Sequence, residues 1–222
     1  VESGNGDYYP GTRLSRNGLN GLNAYAHLGG DLGDSIAWRG GVSYVYLDAR
    51  DYEYEDVNSA GEDVGNLFSG TTEMWIVDAT LKWTPSGDPK RRYLKLQGEY
   101  MQRTQDGNLA YVDALGQLDG SYDTDQHGWY VQGVYQFLPR WRFGARYDYL
   151  DSGDTRIGLV RNGTLAAGDF SVLLPGTPKR TSVMFDWSPS EFSRLRAQYA
   201  WDDARDAATD EQFFLQYILA LG

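Results

Sequence analysis

Along most of this chain apolar side chains recur at every second position, and mid-stretch charge falls only on the other parity. Trp129, Val131, Gly133, Tyr135 and Phe137 alternate with Tyr130, Gln132, Val134 and Gln136. Trp141, Phe143, Ala145, Tyr147 and Tyr149 alternate with Arg142, Gly144, Arg146 and Asp148. A period of two is that of an extended strand, whose successive side chains point to opposite faces. The same partition separates Val77, Ala79, Leu81 and Trp83 from Asp78, Thr80 and Lys82, and Leu94, Leu96 and Tyr100 from Lys95, Gln97 and Glu99. It returns in Val183, Phe185 and Trp187 against Ser182, Met184 and Asp186, and in Leu195, Ala197, Tyr199 and Trp201 against Arg194, Arg196 and Gln198.

A soluble sandwich would hide such apolar faces in a core. Two features point instead to an all-β, antiparallel up-and-down transmembrane β-barrel. The apolar faces end in rings near the turns (Trp38, Trp83, Tyr93, Phe137, Trp141, Trp187, Phe192), as in the aromatic girdles of membrane interfaces. Connections also alternate in length. Nine strands are expected at about 21–30, 35–48, 73–84, 93–104, 128–138, 141–150, 179–187, 193–202 and 212–221. Short turns follow the first, third, fifth and seventh; longer polar loops are expected at 49–72, 105–127, 151–178 and 203–211. Short periplasmic turns and long extracellular loops orient the strands, so 1–20 is expected to be an extracellular loop segment of a single partial barrel. A start outside, with an odd strand count, implies further strands before Val1.

Parity also sets register. For Gln136 and Arg142 to share a face, Leu138, Pro139 and Arg140 must form the connection, which brings Gln132 opposite Arg146 and Tyr130 opposite Asp148. The same logic places Asp186 across from Arg194 or Arg196, where an ion pair is expected. The inward positions then carry Arg39, Lys82, Lys95, Arg142, Arg146, Arg194 and Arg196 against Asp78, Glu99, Asp148 and Asp186, a polar and mildly basic lumen lining. Such charges select permeating ions, or simply pair and keep a wet interior soluble.

The 222-residue chain has no run long enough for a membrane helix, so a crossing must be by strands. Its net charge of −11 argues against nucleic acid as a partner. The absence of cysteine removes disulfides and thiolate metal sites. Asp48, Asp51, Glu53, Glu55, Asp56, Glu62 and Asp63 crowd one expected loop, and Asp106, Asp123 and Asp125 another. Carboxylates suit hard cations, so Asp51, Glu53, Glu55 and Asp56 are the candidate metal ligands, the alternative being a solvated surface bridged by divalent ions to lipopolysaccharide. His27 is expected inward and His127 at a strand end, with no second histidine at zinc spacing. No G-x-S-x-G or other catalytic spacing is present, so nothing in the chain points to an enzyme.

The stretches WIVDATLKWTP, LKLQGEY, GWYVQGVYQFLPRWRFGARYDYLDSG, PKRTSVMFDWSPSEFSRLRAQYA and DEQFFLQYILALG resemble the C-terminal half of a proteobacterial outer-membrane barrel family labelled zinc-regulated TonB-dependent outer-membrane receptors. In general style the chain is also similar to phosphate-selective porins. The resemblance implies an outer-membrane location and uptake of a small ion or metal complex, zinc or another divalent cation among them. It also implies outer-membrane lipid and lipopolysaccharide around the wall, TonB as partner of the full-length protein, and no bound cofactor. It implies further strands before Val1 and a tail after Gly222. A passive anion-selective porin, and an adhesive barrel binding a partner through its acidic loops, are the other readings of the same residues.

Overall fold

The computed structural model describes residues 2–4, 21–85, 88, 90–173, 177–205 and 208–220. Strands follow one another in a single antiparallel up-and-down sheet whose spatial order is its sequence order. They are β1 (Glu2–Gly4), β2 (Gly21–Leu32), β3 (Ile36–Val57), β4 (Asp63–Trp83) and β5 (Tyr93–Asp113), followed by β6 (Gly116–Leu138), β7 (Trp141–Ile157), β8 (Lys179–Ser190), β9 (Ser193–Arg205) and β10 (Ala208–Leu219). Among the described residues no pairing joins the first strand to the last.

Two expectations need correction. Residues 2–4 are not loop: they pair with β2 through Glu2–Asn23, Ser3–Leu22 and Gly4–Gly21, and the rest of the expected 1–20 loop lies outside the described residues. Residues 49–72 and 105–127 are not loops either, because β3–β4 and β5–β6 continue as ladders to turns at about 58–62 and at Ala114 and Leu115. With 21 to 23 residues each, these strands run about 70 Å at roughly 3.3 Å per residue, far more than a bilayer needs.

All seven tryptophans (Trp38, Trp75, Trp83, Trp129, Trp141, Trp187 and Trp201) lie on one face, as the pairs Trp38–Leu81, Val77–Tyr100 and Trp141–Trp187 require. We call it the tryptophan face and its opposite the arginine face. On the tryptophan face from Trp75 to Trp83, and at the same level of β3, β5 and β6, there is no Asp, Glu, Lys or Arg; on β7 and β8 charge on that face begins at Asp151, opposite His127, and at Lys179, opposite Tyr149. Val131 is 50 % exposed there, and Tyr147 and Leu195 are half-buried, outside the core. From Trp75 to Trp83 is eight positions, about 26 Å of strand, close to the roughly 25 Å apolar band of outer-membrane barrels. Tyr93 departs from the expected girdle: it pairs with Gln136 on the arginine face, with the Lys82 ammonium 5.3 Å above its ring.

Beyond this belt the faces exchange character. On the extensions the tryptophan face carries Glu53, Glu55, Asp106, Asp123 and Asp125, while the arginine face turns apolar. Ala49, Val64, Phe68, Leu109, Tyr111, Tyr122 and Ile157 form a core there, closed by Leu159 and Phe170 from the β7–β8 connection. Bulges in β3 between Ala49 and Tyr52 and in β7 opposite Asp125–His127 restore the parity that puts Tyr52, Tyr54 and Ile157 inside. Gly153 sits in the second bulge at φ +62°, a conformation that favours glycine.

The covering segment contains one helical turn, α1 (Gly158–Arg161), and two short 3-10 turns at Ala167–Asp169 and Ser171–Leu173. Carboxylates latch it to the β3–β4 hairpin. Asp169 accepts from the Ser59 hydroxyl (2.5 Å) and amide (3.1 Å) and from the Ala166 amide (2.9 Å), and Asp56 accepts from the Ser171 amide (3.0 Å) and hydroxyl (3.1 Å). The Ser59 hydroxyl bond, then the amide bonds, hold the Asp169 carboxyl below its ordinary value. A depressed folded value stabilises the latched state above the unfolded value, about 3.9, and that contribution is lost as pH falls through the lower folded value. We therefore expect a fluorophenylalanine placed at Phe170 to shift its fluorine resonance on acidification. Asp169→Asn should remove most of that pH dependence, and an unchanged profile would contradict the latch.

Candidate functional site

The belt part of the arginine face is the site, and its charges lie in rows set by strand register. One row runs Asp78, Glu99, Tyr130, Asp148, Arg180, Asp202 and Asp210. The next toward the short turns runs Arg39, Thr80, Gln97, Gln132, Arg146 and Ser182. Below it, Lys82 faces Lys95, and a fourth row runs Tyr93, Gln136, Arg142, Asp186, Arg196 and Gln216. Arg194 pairs with Ile218 at the same end of the sheet. Acid thus dominates the end nearer the long hairpins, and base the end nearer the short turns.

The β6–β7 register places Gln136 across from Arg142, Gln132 from Arg146 and Tyr130 from Asp148. Leu138 pairs with Trp141, leaving Pro139 and Arg140 as the turn and Phe137 as the odd residue; Arg140 has φ +72°. The connection is therefore a two-residue turn plus a bulge, with the parity of a three-residue one.

Three ionic clusters result. Asp186 is 1 % exposed and takes two bonds from Arg196, Nε at 2.7 Å and Nη2 at 3.0 Å. Arg142 Nε lies 3.9 Å from the same carboxylate while its Nη2 donates to Ser188 (2.7 Å). Arg146 donates to Asp148 from Nε (2.8 Å) and Nη2 (2.6 Å), and its guanidinium lies 3.7 Å from the Tyr130 ring centre. His27 Nε2 is 2.9 Å and Arg39 Nη2 3.5 Å from Asp78. Gly41 permits this third cluster, since a β-carbon there would overlap both the His27 ring and the Asp78 carboxylate. Arg180 and Asp202 (3.6 Å) form a further pair that sequence reading passed over, although both continue the alternation of their strands. A cavity of about 570 Å³ opens on this face, lined in part by Gln132, Arg146, Asp148, Arg180, Arg196 and Gln198.

The four candidate metal ligands are not brought together. Glu53 and Glu55 point to the tryptophan-face side of β3, Asp56 to the other side where it holds Ser171, and Asp51 sits in the bulge at φ +49° against Ser69 (3.2 Å). The alternation of the hairpin divides them. Among the described residues no group of three His, Cys, Asp or Glu side chains could hold a metal ion. His127 lies on the tryptophan face, between the rings of Tyr100 and Tyr149 and 3.9 Å from Asp151.

No protein-family model matches the chain. It is 28% identical over 196 residues to an uncharacterized protein of Aquifex aeolicus (strain VF5), covering 86% of this chain and 37% of that one. The chain therefore spans a little over a third of the length of the curated relative that it matches. Among solved structures it is similar to a TodX deltaS2S3 mutant monoaromatic hydrocarbon channel, with TM-score 0.49 and 11% identity over 85% of this chain and 56% of that one. It is also similar to the NanC porin, with TM-score 0.40 and 8% identity over 91% and 94% of the two chains.

Proposed function

We propose that this chain forms the wall of an outer-membrane transport barrel whose arginine face lines an aqueous path for small charged solutes. One observation carries the reading: the apolar face turns charged, and the polar face apolar, at the same level of the sheet. A wall needs that inversion where it leaves lipid for water, because each face must suit a different medium on either side of the boundary. Outer-membrane lipid then covers the tryptophan face, with lipopolysaccharide headgroups at the level of the acidic extensions. The Lys82–Lys95 row, with Arg142, Arg194 and Arg196 beside a single Asp186, favours anions at the inner end.

Reconstitution into planar bilayers is expected to give discrete conductance steps. In the double variant Lys82→Glu/Lys95→Glu the reversal potential in a salt gradient should move toward cations by a several-fold change in permeability ratio. Zinc or another divalent cation, the cargo that the family resemblance implies, is tested in the same bilayer by the reversal potential with zinc chloride on one side. A membrane left without steps by folded protein would contradict the transport reading.

A further inference from the structure

Above the belt, beneath the β7–β8 segment, the arginine face holds a second cavity of about 230 Å³ lined by Ala49, Tyr52, Tyr54, Phe68, Tyr122 and Val172, with Arg103 and Gln105 on its wall. All but Val172 belong to one parity of β3–β6; Val172 comes from the covering segment. Three phenols, a phenyl ring and two small aliphatic groups thus surround one guanidinium. Arg103 is half-buried and donates to the Gln126 side-chain oxygen; among the described residues no carboxylate lies within ion-pair distance of it. A guanidinium has five donor hydrogens, and a partly desolvated one gains most from an anion that accepts two of them.

We infer that this cavity binds a small aromatic carboxylate, its ring among Tyr52, Tyr54, Phe68 and Tyr122 and its anionic group on Arg103. Size agrees: an apolar cavity of roughly 150 Å³ admits benzene, and this one leaves room for a ring with one substituent. Burial raises the Tyr54 and Tyr122 hydroxyls above their usual value, so both stay protonated and can donate to an anion. Gln105, which also lines the cavity, is held by its donation to Thr72 Oγ1 (3.0 Å).

The site requires the fold but not conduction, so its test is separate from the bilayer experiment. Calorimetric titration of the purified full chain in detergent micelles should give saturable heats with benzoate. Benzyl alcohol, which keeps the ring and lacks the charge, should bind roughly ten- to a hundredfold more weakly, the range for losing a charge-assisted bond; acetate, which keeps the charge and lacks the ring, should not compete. Arg103→Gln should weaken benzoate by the same factor and leave benzyl alcohol unchanged, while Arg103→Lys should retain part of the affinity. Absence of saturable benzoate heat in folded wild-type protein, or equal affinity for benzoate and benzyl alcohol, overturns the inference; neither outcome depends on whether a variant folds. Conductance without benzoate binding would remove this site alone, and benzoate binding without conductance would remove the transport reading alone.

Discussion

Arginine placed at Val131 or Tyr147 is expected to destabilise the folded chain by about 2–4 kcal/mol, whereas arginine at Gln132 should change stability little. Val131 pairs with Tyr147 at the Ala79 level, midway between Trp75 and Trp83 in the apolar belt. Lipid offers no hydrogen bonds there, and the nearest polar level lies several residues away along either strand. Gln132 is one row from Asp148 on the opposite face and borders the 570 Å³ cavity, so a new guanidinium there finds room and a carboxylate. Urea unfolding of protein inserted in lipid vesicles reads the difference directly. Equal tolerance at the three positions would mean that the two faces meet the same medium.

Removing Asp186 should have an effect as large, by a different route. Its carboxylate is almost inaccessible and neutralises Arg196 and Arg142, themselves only partly exposed. Asp186→Ala leaves Arg196 and Arg142, on the two strands flanking β8, without their shared carboxylate, Arg142 keeping only Ser188, and breaking a buried pair this way costs about 3–5 kcal/mol, less whatever water reaches the arginines. Replacing both ends, as in Asp186→Leu with Arg196→Met, removes the orphaned charge along with its partner and should recover much of the loss. A double variant no more stable than Asp186→Ala would show that the pair acts through something other than its charges.

The β6–β7 register, and the placing of Asp186 across from Arg194 or Arg196, could be read from parity because the period-two rule is strict: with one face apolar, a slip of one residue would turn every charged side chain toward the other face. Strand length was less legible. In 51–55 the residues Asp, Tyr, Glu, Tyr, Glu alternate as cleanly as those of the belt, but with acid where the belt has grease. Judged by charge and glycine content, the segment looks like a loop; judged by parity, it is a strand whose faces meet water outside and a packed core inside. Charge content dominated because a loop and a solvated strand face share the same composition. The bulges at Arg50–Asp51 and Ser152–Gly153 hid the continuity further, since each breaks the count of two.

The covering segment was beyond this kind of reading. Leu159, Leu165, Phe170, Val172 and Leu173 have no period to announce them, and their burial depends on Tyr111 and Phe68, more than forty positions away. The same holds for the aromatic cavity, assembled from three strands and that segment. Arg103 was within reach, since it continues the alternation of Lys95, Gln97 and Glu99, as Arg180 continues that of Ser182 and Asp186. Both lie inside the expected strands 93–104 and 179–187, but the alternation was followed only as far as Glu99 in the one and from Ser182 in the other.

Because every tryptophan of the chain lies on one face of the sheet, fluorescence tests the central claim without a single substitution. Protein in vesicles whose acyl chains carry bromine should lose most of its tryptophan emission, while iodide in the surrounding water should quench little. Strong iodide quenching, with brominated lipid leaving the emission intact, would contradict the placement of this face in the membrane.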